Sequence, residues 1–310
     1  TASLPLLPPE NGAIDAFDQI QRSPAVVNAE RDDWNVVPYR TGITSSDCLD
    51  DVSDTDDEVW PVYKGSSFDL WVPDTGDHYG QGSVEELTEY LTGKRDRSRK
   101  WPDNDRQLPC NHPTIAFRRV TNRTNQRTVI SSLIPPNVFM RDADPFLLWE
   151  DGGTERNEAY LIGVLSSIPL DWFSRRFVEK HLDYYIFNGL PIPELDTESQ
   201  LGDRAIELSG RLCAVDDRYA DWAHSVGVEY GPLADDKKQE KIYELDAVVA
   251  HLYELTRDQV TVIYATFHEG WDYKKRLDSV LEYYDAWADQ LDIDHTDSEI
   301  DRAAMAQDDD

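Results

Sequence analysis

No stretch of the 310 residues approaches the roughly 18 consecutive apolar residues that a membrane-spanning helix needs. No charged-then-apolar leader opens the sequence, so nothing points to export. Cysteine is scarce: Cys48, Cys110 and Cys213 lie far apart with no CxxC pair, which argues against a zinc site or a disulfide framework. Buried thiols in a reducing cytoplasm are the expectation. Lysine is scarce too, with nine residues against 21 arginines. The first residue is Thr1, from which we expect a processed product or an excised piece of a longer protein.

Several chemistries are missing. No P-loop and no GxSxG elbow occurs. The seven histidines are scattered without HExxH spacing. A glycine-rich cofactor loop after a strand is absent, as is the Asn/Asp-Pro-Pro-aromatic turn that holds a flipped adenine; the Pro-Pro pairs follow Leu7 and Ile134 and precede no aromatic residue. Asp74, Glu85, Glu86 and Lys94 could be assembled into a metal-dependent nuclease site, but among 61 acidic residues such a match is expected by chance. The chain itself therefore offers no catalytic or metal-binding set and no cofactor site.

What the sequence has in excess is acid. Its formal net charge is −31, with 40% hydrophobic and 11% aromatic residues. A chain that keeps its core residues is not disordered on account of its charge. We read the acidity as adaptation to very high salt, where an acidic surface holds hydration and resists association; an acidic mimic of DNA is the alternative. Composition divides the chain into an acidic, Pro-rich connector (1–58, with one short helix near Ala13–Arg22), a β-rich domain (59–200), a helical domain (201–290) and an acidic tail (291–310). Strands are expected in VWPVYKGSSFDLWV, TIAFRRV and TVISSLIPP. Helices are expected in Ser83–Thr92, Ala159–Ser167 and the following LDWFSRRFVEKH, then Asp203–Ala223, Lys237–Tyr253 and Tyr273–Ala288. The fold class is α+β: a mixed, mainly antiparallel β domain followed by a helical domain.

Against this acidity stands one basic island. Between Lys94 and Arg127 there are ten bases and three acids, a local charge of +7 that leaves −38 on the rest of the chain. A positive segment retained in so negative a chain suggests an anionic partner; arginines paired with surface acids would give the same count. Arg118, Arg119, Asn122, Arg123, Thr124, Asn125, Gln126 and Arg127 crowd a strand end and turn. Arg, Asn and Gln suit guanine and adenine edges in the major groove, and Arg, Thr and Asn suit phosphates. A second cluster comprises Arg175, Arg176, Lys180 and His181, near Tyr184 and Tyr185, where core packing and base stacking both remain open for the tyrosines. At molar salt counterion release contributes little, so directional contacts from Arg and Asn carry more of the affinity. Replacing Arg118, Arg119, Arg123 and Arg127 by alanine is expected to abolish binding and leave thermal stability nearly unchanged.

Four segments together carry a resemblance: VWPVYKGSSFDLWVPDTGDHYG, AFRRVTNRTNQRTVISSLIPPNVF, YLIGVLSSIPLDWFSRRFVEKHLDYYIFNGLPIPEL and ELDAVVAHLYELTRDQV with ATFHEG after it. In this order, over roughly residues 55–270, they resemble the C-terminal specificity region of type II, IIG-like restriction-modification adenine-N6 DNA methyltransferases. The resemblance implies an upstream domain that binds S-adenosylmethionine and methylates adenine, with a nuclease or translocase domain as a possible further attachment. It implies that this region selects the sequence on double-stranded DNA. By position, the DNA-facing elements would be Lys64, Gly65 and Ser66, the Arg118–Arg127 segment, and Arg175 to His181. The acidity departs from the usual basic specificity domain.

Overall fold

The computed structural model describes residues 8, 10–28, 30–31, 34–49, 58–98, 101, 108–151, 153–196, 198–268 and 273–292. The fold is α+β. Its helices and strands in chain order are α1 (Ala13–Gln21), β1 (Asn35–Tyr39), β2 (Val59–Tyr63), β3 (Gly80–Ser83), α2 (Val84–Arg97), β4 (Thr114–Phe117), β5 (Ser131–Ile134), β6 (Phe139–Met140), β7 (Phe146–Asp151), α3 (Glu155–Leu165), α4 (Ile168–Ser174), α5 (Tyr184–Phe187), α6 (Gln200–Cys213), α7 (Ala220–Val226), α8 (Asp235–Leu252), α9 (Arg257–Ala265) and α10 (Lys274–Leu291). Among the described residues no helix is long and apolar enough to cross a membrane.

A four-stranded sheet of order β1-β7-β4-β5, antiparallel throughout, divides the molecule. Alternate side chains of a strand point to opposite faces, and here both faces are covered. Val36, Ile115, Phe117, Leu133, Leu147 and Trp149 join the large core built with the helices. Ala116, Ile134, Phe146 and Leu148 join a second core with α2 and the smaller sheet β3-β2-β6. Burial on both faces explains why TIAF and FLLW read as continuous apolar runs rather than alternating ones. In the small sheet β2 pairs antiparallel with β3 and parallel with β6, so the β structure is mixed but mainly antiparallel.

Both strand prolines sit where no ladder donor is needed. Pro38 lies in β1, an edge strand, and Pro61 in β2 precedes the two residues that β6 reaches, Val62 and Tyr63.

The N-terminal region departs from the connector expected for 1–58. The short helix is there, and it is a core element: Ala13, Ala16, Phe17 and Ile20, spaced at one helical face, are buried, and the Phe17 ring stacks on Phe173 at 4.7 Å. NVVPY forms β1 and pairs with β7 more than 100 residues later, a non-local contact that local composition does not signal. The acidic run, apart from Glu58, lies outside the described residues, as do 293–310 of the expected tail.

The large core runs from Ala13 to Tyr284 without a break at residue 200. Helix α3 is its axis: residues 157–165 are all buried, because it packs on the sheet and on α6. Its N-terminus is closed by a Thr154–Asn157 capping box. Tyr219, between α6 and α7, donates its hydroxyl to the Leu133 carbonyl of β5 at 2.7 Å and ties the helices to the sheet. Two helical expectations were too long. Asp203–Ala223 breaks after Cys213, and LDWFSRRFVEKH is helical only to Ser174. In VWPVYKGSSFDLWV only β2 is strand; a 3-10 turn follows at Gly65–Ser67, and Trp71 has a φ of 58°. The cysteines are free, with Cys110 and Cys213 buried but Cys48 only half-buried after the 3-10 turn at Ser45–Asp47.

Candidate nucleic-acid interface

The turn from Asn122 to Gln126 joins β4 to β5. Its base is closed where the Thr121 hydroxyl donates to the Thr128 carbonyl at 2.8 Å. Inside the turn, the Asn122 carboxamide oxygen accepts from the Thr124 N–H at 3.0 Å and the Asn122 carbonyl from the Asn125 N–H at 2.9 Å, a local alternative to sheet bonding that Asn favours.

The turn is held from behind through its main chain. Arg175, at the C-terminal end of α4, donates to the carbonyls of Arg123 (2.9 Å), Asn125 (2.9 Å) and Gln126 (2.6 Å). His268 Nε2 donates to the Thr124 carbonyl at 2.9 Å, and the Tyr273 hydroxyl reaches the Gln126 carbonyl at 3.4 Å. Every carbonyl from Asn122 to Gln126 is thereby engaged, while the side chains of Arg123, Thr124, Asn125 and Gln126 are exposed.

Asp171 anchors this arrangement. Its carboxylate is fully buried. It accepts from the Thr128 N–H at 3.0 Å and the Val129 N–H at 3.4 Å, from Arg127 Nε, and pairs with Arg175 Nε at 3.4 Å. Arg127 also donates to the carbonyls of Ser166 and Ser167 at 2.7 and 2.9 Å. Arg175 lies over the Phe267 ring at 4.3 Å. Burial pulls its guanidinium below its usual value, with Asp171 opposing.

The three segments singled out in the sequence meet here. Gly65 packs so closely on Asp144 and Arg118 that a Cβ would lie 2.9 Å from the Asp144 carboxylate, so a larger residue between Lys64 and Ser66 would force that carboxylate to shift. Val120 bridges to His181, the Thr121 N–H donates to the Lys180 carbonyl at 3.2 Å, and the Leu182 N–H to the Arg119 carbonyl at 2.8 Å. Residues 119–121 and 180–182 thus run side by side.

Convergence does not make every base available. Arg118 donates to the Phe68 carbonyl and pairs with Asp69 at 3.4 Å. Arg119 pairs with Asp183 at 2.7 Å. Arg176 donates to the Trp172 carbonyl at 3.1 Å and lies over the Trp172 ring, and burial lowers its pKa to about 10. Lys64 and Ser66 both bind Asp77, each at 2.8 Å, and hold its carboxyl below the usual range. Arg127 and Arg175 belong to the buried anchor. The expectation that alanine at Arg118, Arg119, Arg123 and Arg127 leaves stability unchanged therefore gives way, because Arg127 neutralises a buried carboxylate. The side chains of Arg123, Lys180 and His181 are exposed and make no hydrogen bond or ion pair with another described residue.

Elsewhere the island is dispersed. Lys94 turns to the Thr41 carbonyl beside the Tyr39 and Tyr90 rings, Arg95 pairs with Asp96, and Arg99, Lys100 and Arg106 lie outside the described residues. Tyr184 is half-buried and Tyr185 is exposed. Of the residues of the nuclease alternative, Asp74 is bound to His78 and Arg218, and Lys94 to Thr41. Among the described residues no three His, Cys, Asp or Glu side chains are grouped to share a metal ion.

The buttress of Asp171, Phe267, His268 and Tyr273 was not anticipated. One signal was present: Asp171 is a lone acid in the apolar run SIPLDWF, four residues before Arg175, and such an acid in a buried helix calls for a partner. No protein-family model matches the chain, and no curated protein matches its sequence.

Proposed function

We propose that this chain is a sequence-specific double-stranded DNA recognition module, the target-recognition part of a cytoplasmic restriction-modification adenine-N6 methyltransferase that works in phage defence. The supporting observation is the turn at 122–126. Its carbonyls are all bound, from within the turn or from behind, and its Arg, Thr, Asn and Gln side chains face solvent. A reading surface needs such preorganisation, since side chains on a fixed main chain lose less freedom on binding. Arg123, Asn125 and Gln126 suit base edges, each good bidentate pair contributing about 1–3 kcal/mol of discrimination. Lys180 and His181 suit adjacent phosphates. In this reading S-adenosylmethionine belongs to the upstream methyltransferase domain, which also completes flipping of the target base, and no residue of this chain is assigned to it.

The test is selection from a pool of random duplexes in molar KCl, with the retained DNA sequenced. Enrichment of one short motif is the expected result. If the folded chain, alone and joined to its parent's methyltransferase domain, enriches none, the reading is wrong.

A further inference from the structure

Among the described residues only two branched aliphatic side chains stand largely in solvent, Ile14 on α1 and Val120. An isolated exposed valine needs no explanation of itself; its neighbours give this one meaning. Val120 is 63% exposed and lies two residues before the turn that the DNA reading places on base edges. Around it Phe117 and Thr121 are buried, Arg118, Arg119 and Asn122 are partly exposed, and Val120 is exposed. Thr121 is turned inward by its bond to Thr128. The bridge to His181 fixes the other side, and paired residues across an antiparallel bridge project from the same face. Val120 therefore stands beside the exposed His181 and two residues before Asn122, with neighbouring Arg119 held on Asp183.

An apolar side chain placed among hydrogen-bonding ones on a major-groove surface meets one apolar group on the base edges, the 5-methyl of thymine. We propose that Val120 is a specificity-determining residue that contacts a thymine methyl in the recognised sequence. This rests on the DNA reading above. It implies an A·T pair in the target beside the bases read by the turn.

Replacing thymine by uracil in the enriched duplex, one position at a time, removes only that methyl. At one position the wild-type chain is expected to bind about fourfold more weakly, the equivalent of one buried methyl group. Val120→Ala is expected to bind the thymine and uracil duplexes alike at that position. Val120→Thr, which keeps a methyl in similar volume, is expected to retain part of the preference. Equal binding of uracil and thymine duplexes by the wild-type chain at every position, or an enriched motif with no A·T pair, overturns the proposal while leaving the DNA reading intact. Absence of any enriched motif removes both.

Discussion

Arg123 and Arg127 lie four residues apart in one basic segment, with opposite surroundings. The Arg123 side chain is exposed and unpaired among the described residues, while its carbonyl is held by Arg175. Arg127 points inward onto Asp171 and the carbonyls of Ser166 and Ser167. The first is free to meet a ligand; the second keeps the turn in place. Local charge density does not distinguish the two, because arginine pairs with a buried carboxylate as well as with a phosphate.

The comparison can be broken first at Asp171. Asp171→Ala leaves Arg127 and Arg175 without their buried counter-charge and is expected to cost about 3–5 kcal/mol, read as a lowered urea midpoint. Arg175→Ala should cost less, about 2–3 kcal/mol from carbonyls left without donors, and should also open the 122–126 turn to limited proteolysis. Resistance equal to wild type would mean that the turn keeps its shape without this grip.

The loop bearing Lys64 and Ser66 is held in a different way. Burial raises the Asp74 carboxyl, but Tyr63, His78 at 2.9 Å and the Gly76 N–H at 2.8 Å together outweigh it, and the pKa is lowered. A carboxyl depressed in the folded state contributes stability above its unfolded value, and that contribution is lost as pH falls through the folded one. Unfolding midpoints should therefore drop on acidification below about pH 4, and Asp74→Asn should flatten part of that drop. The smallest stability effect belongs to the outward-facing set. Arg123→Ala and Lys180→Ala should each change stability by under about 0.5 kcal/mol, yet each should lower the salt slope of DNA binding by about 1 if the residue contacts phosphate. A large stability loss in either would show that it is a holding residue after all.

The sequence made long periodic elements legible. Helices α1, α8 and α10 lie within two or three residues of where apolar spacing puts them, and strands β4 and β5 fall inside the runs expected to hold them. It did not reveal β1 or β7, whose pairing spans more than 100 residues, nor α9, a short helix behind the Thr256 cap. At the site, composition picked out 118–127 and 175–181, and the family resemblance added 64–66; the three segments converge. It could not sort their residues into holding and facing, since that depends on Asp171, Asp183 and Asp77 lying underneath or alongside, and a chain with 61 acids gives no hint which of them is near.

The grip on the turn also imposes an order on folding. Its nearest supports, Asp171 and Arg175, are synthesised about 50 residues after it, and His268 and Tyr273 about 145 residues after it. A chain emerging from the ribosome can form β4 and β5 early, but the segment between them is fully fastened only when the helices at the far end have docked, because contacts of long sequence separation close late. A fragment ending before residue 268 would carry every candidate reading side chain and lack two of the fastenings that aim them.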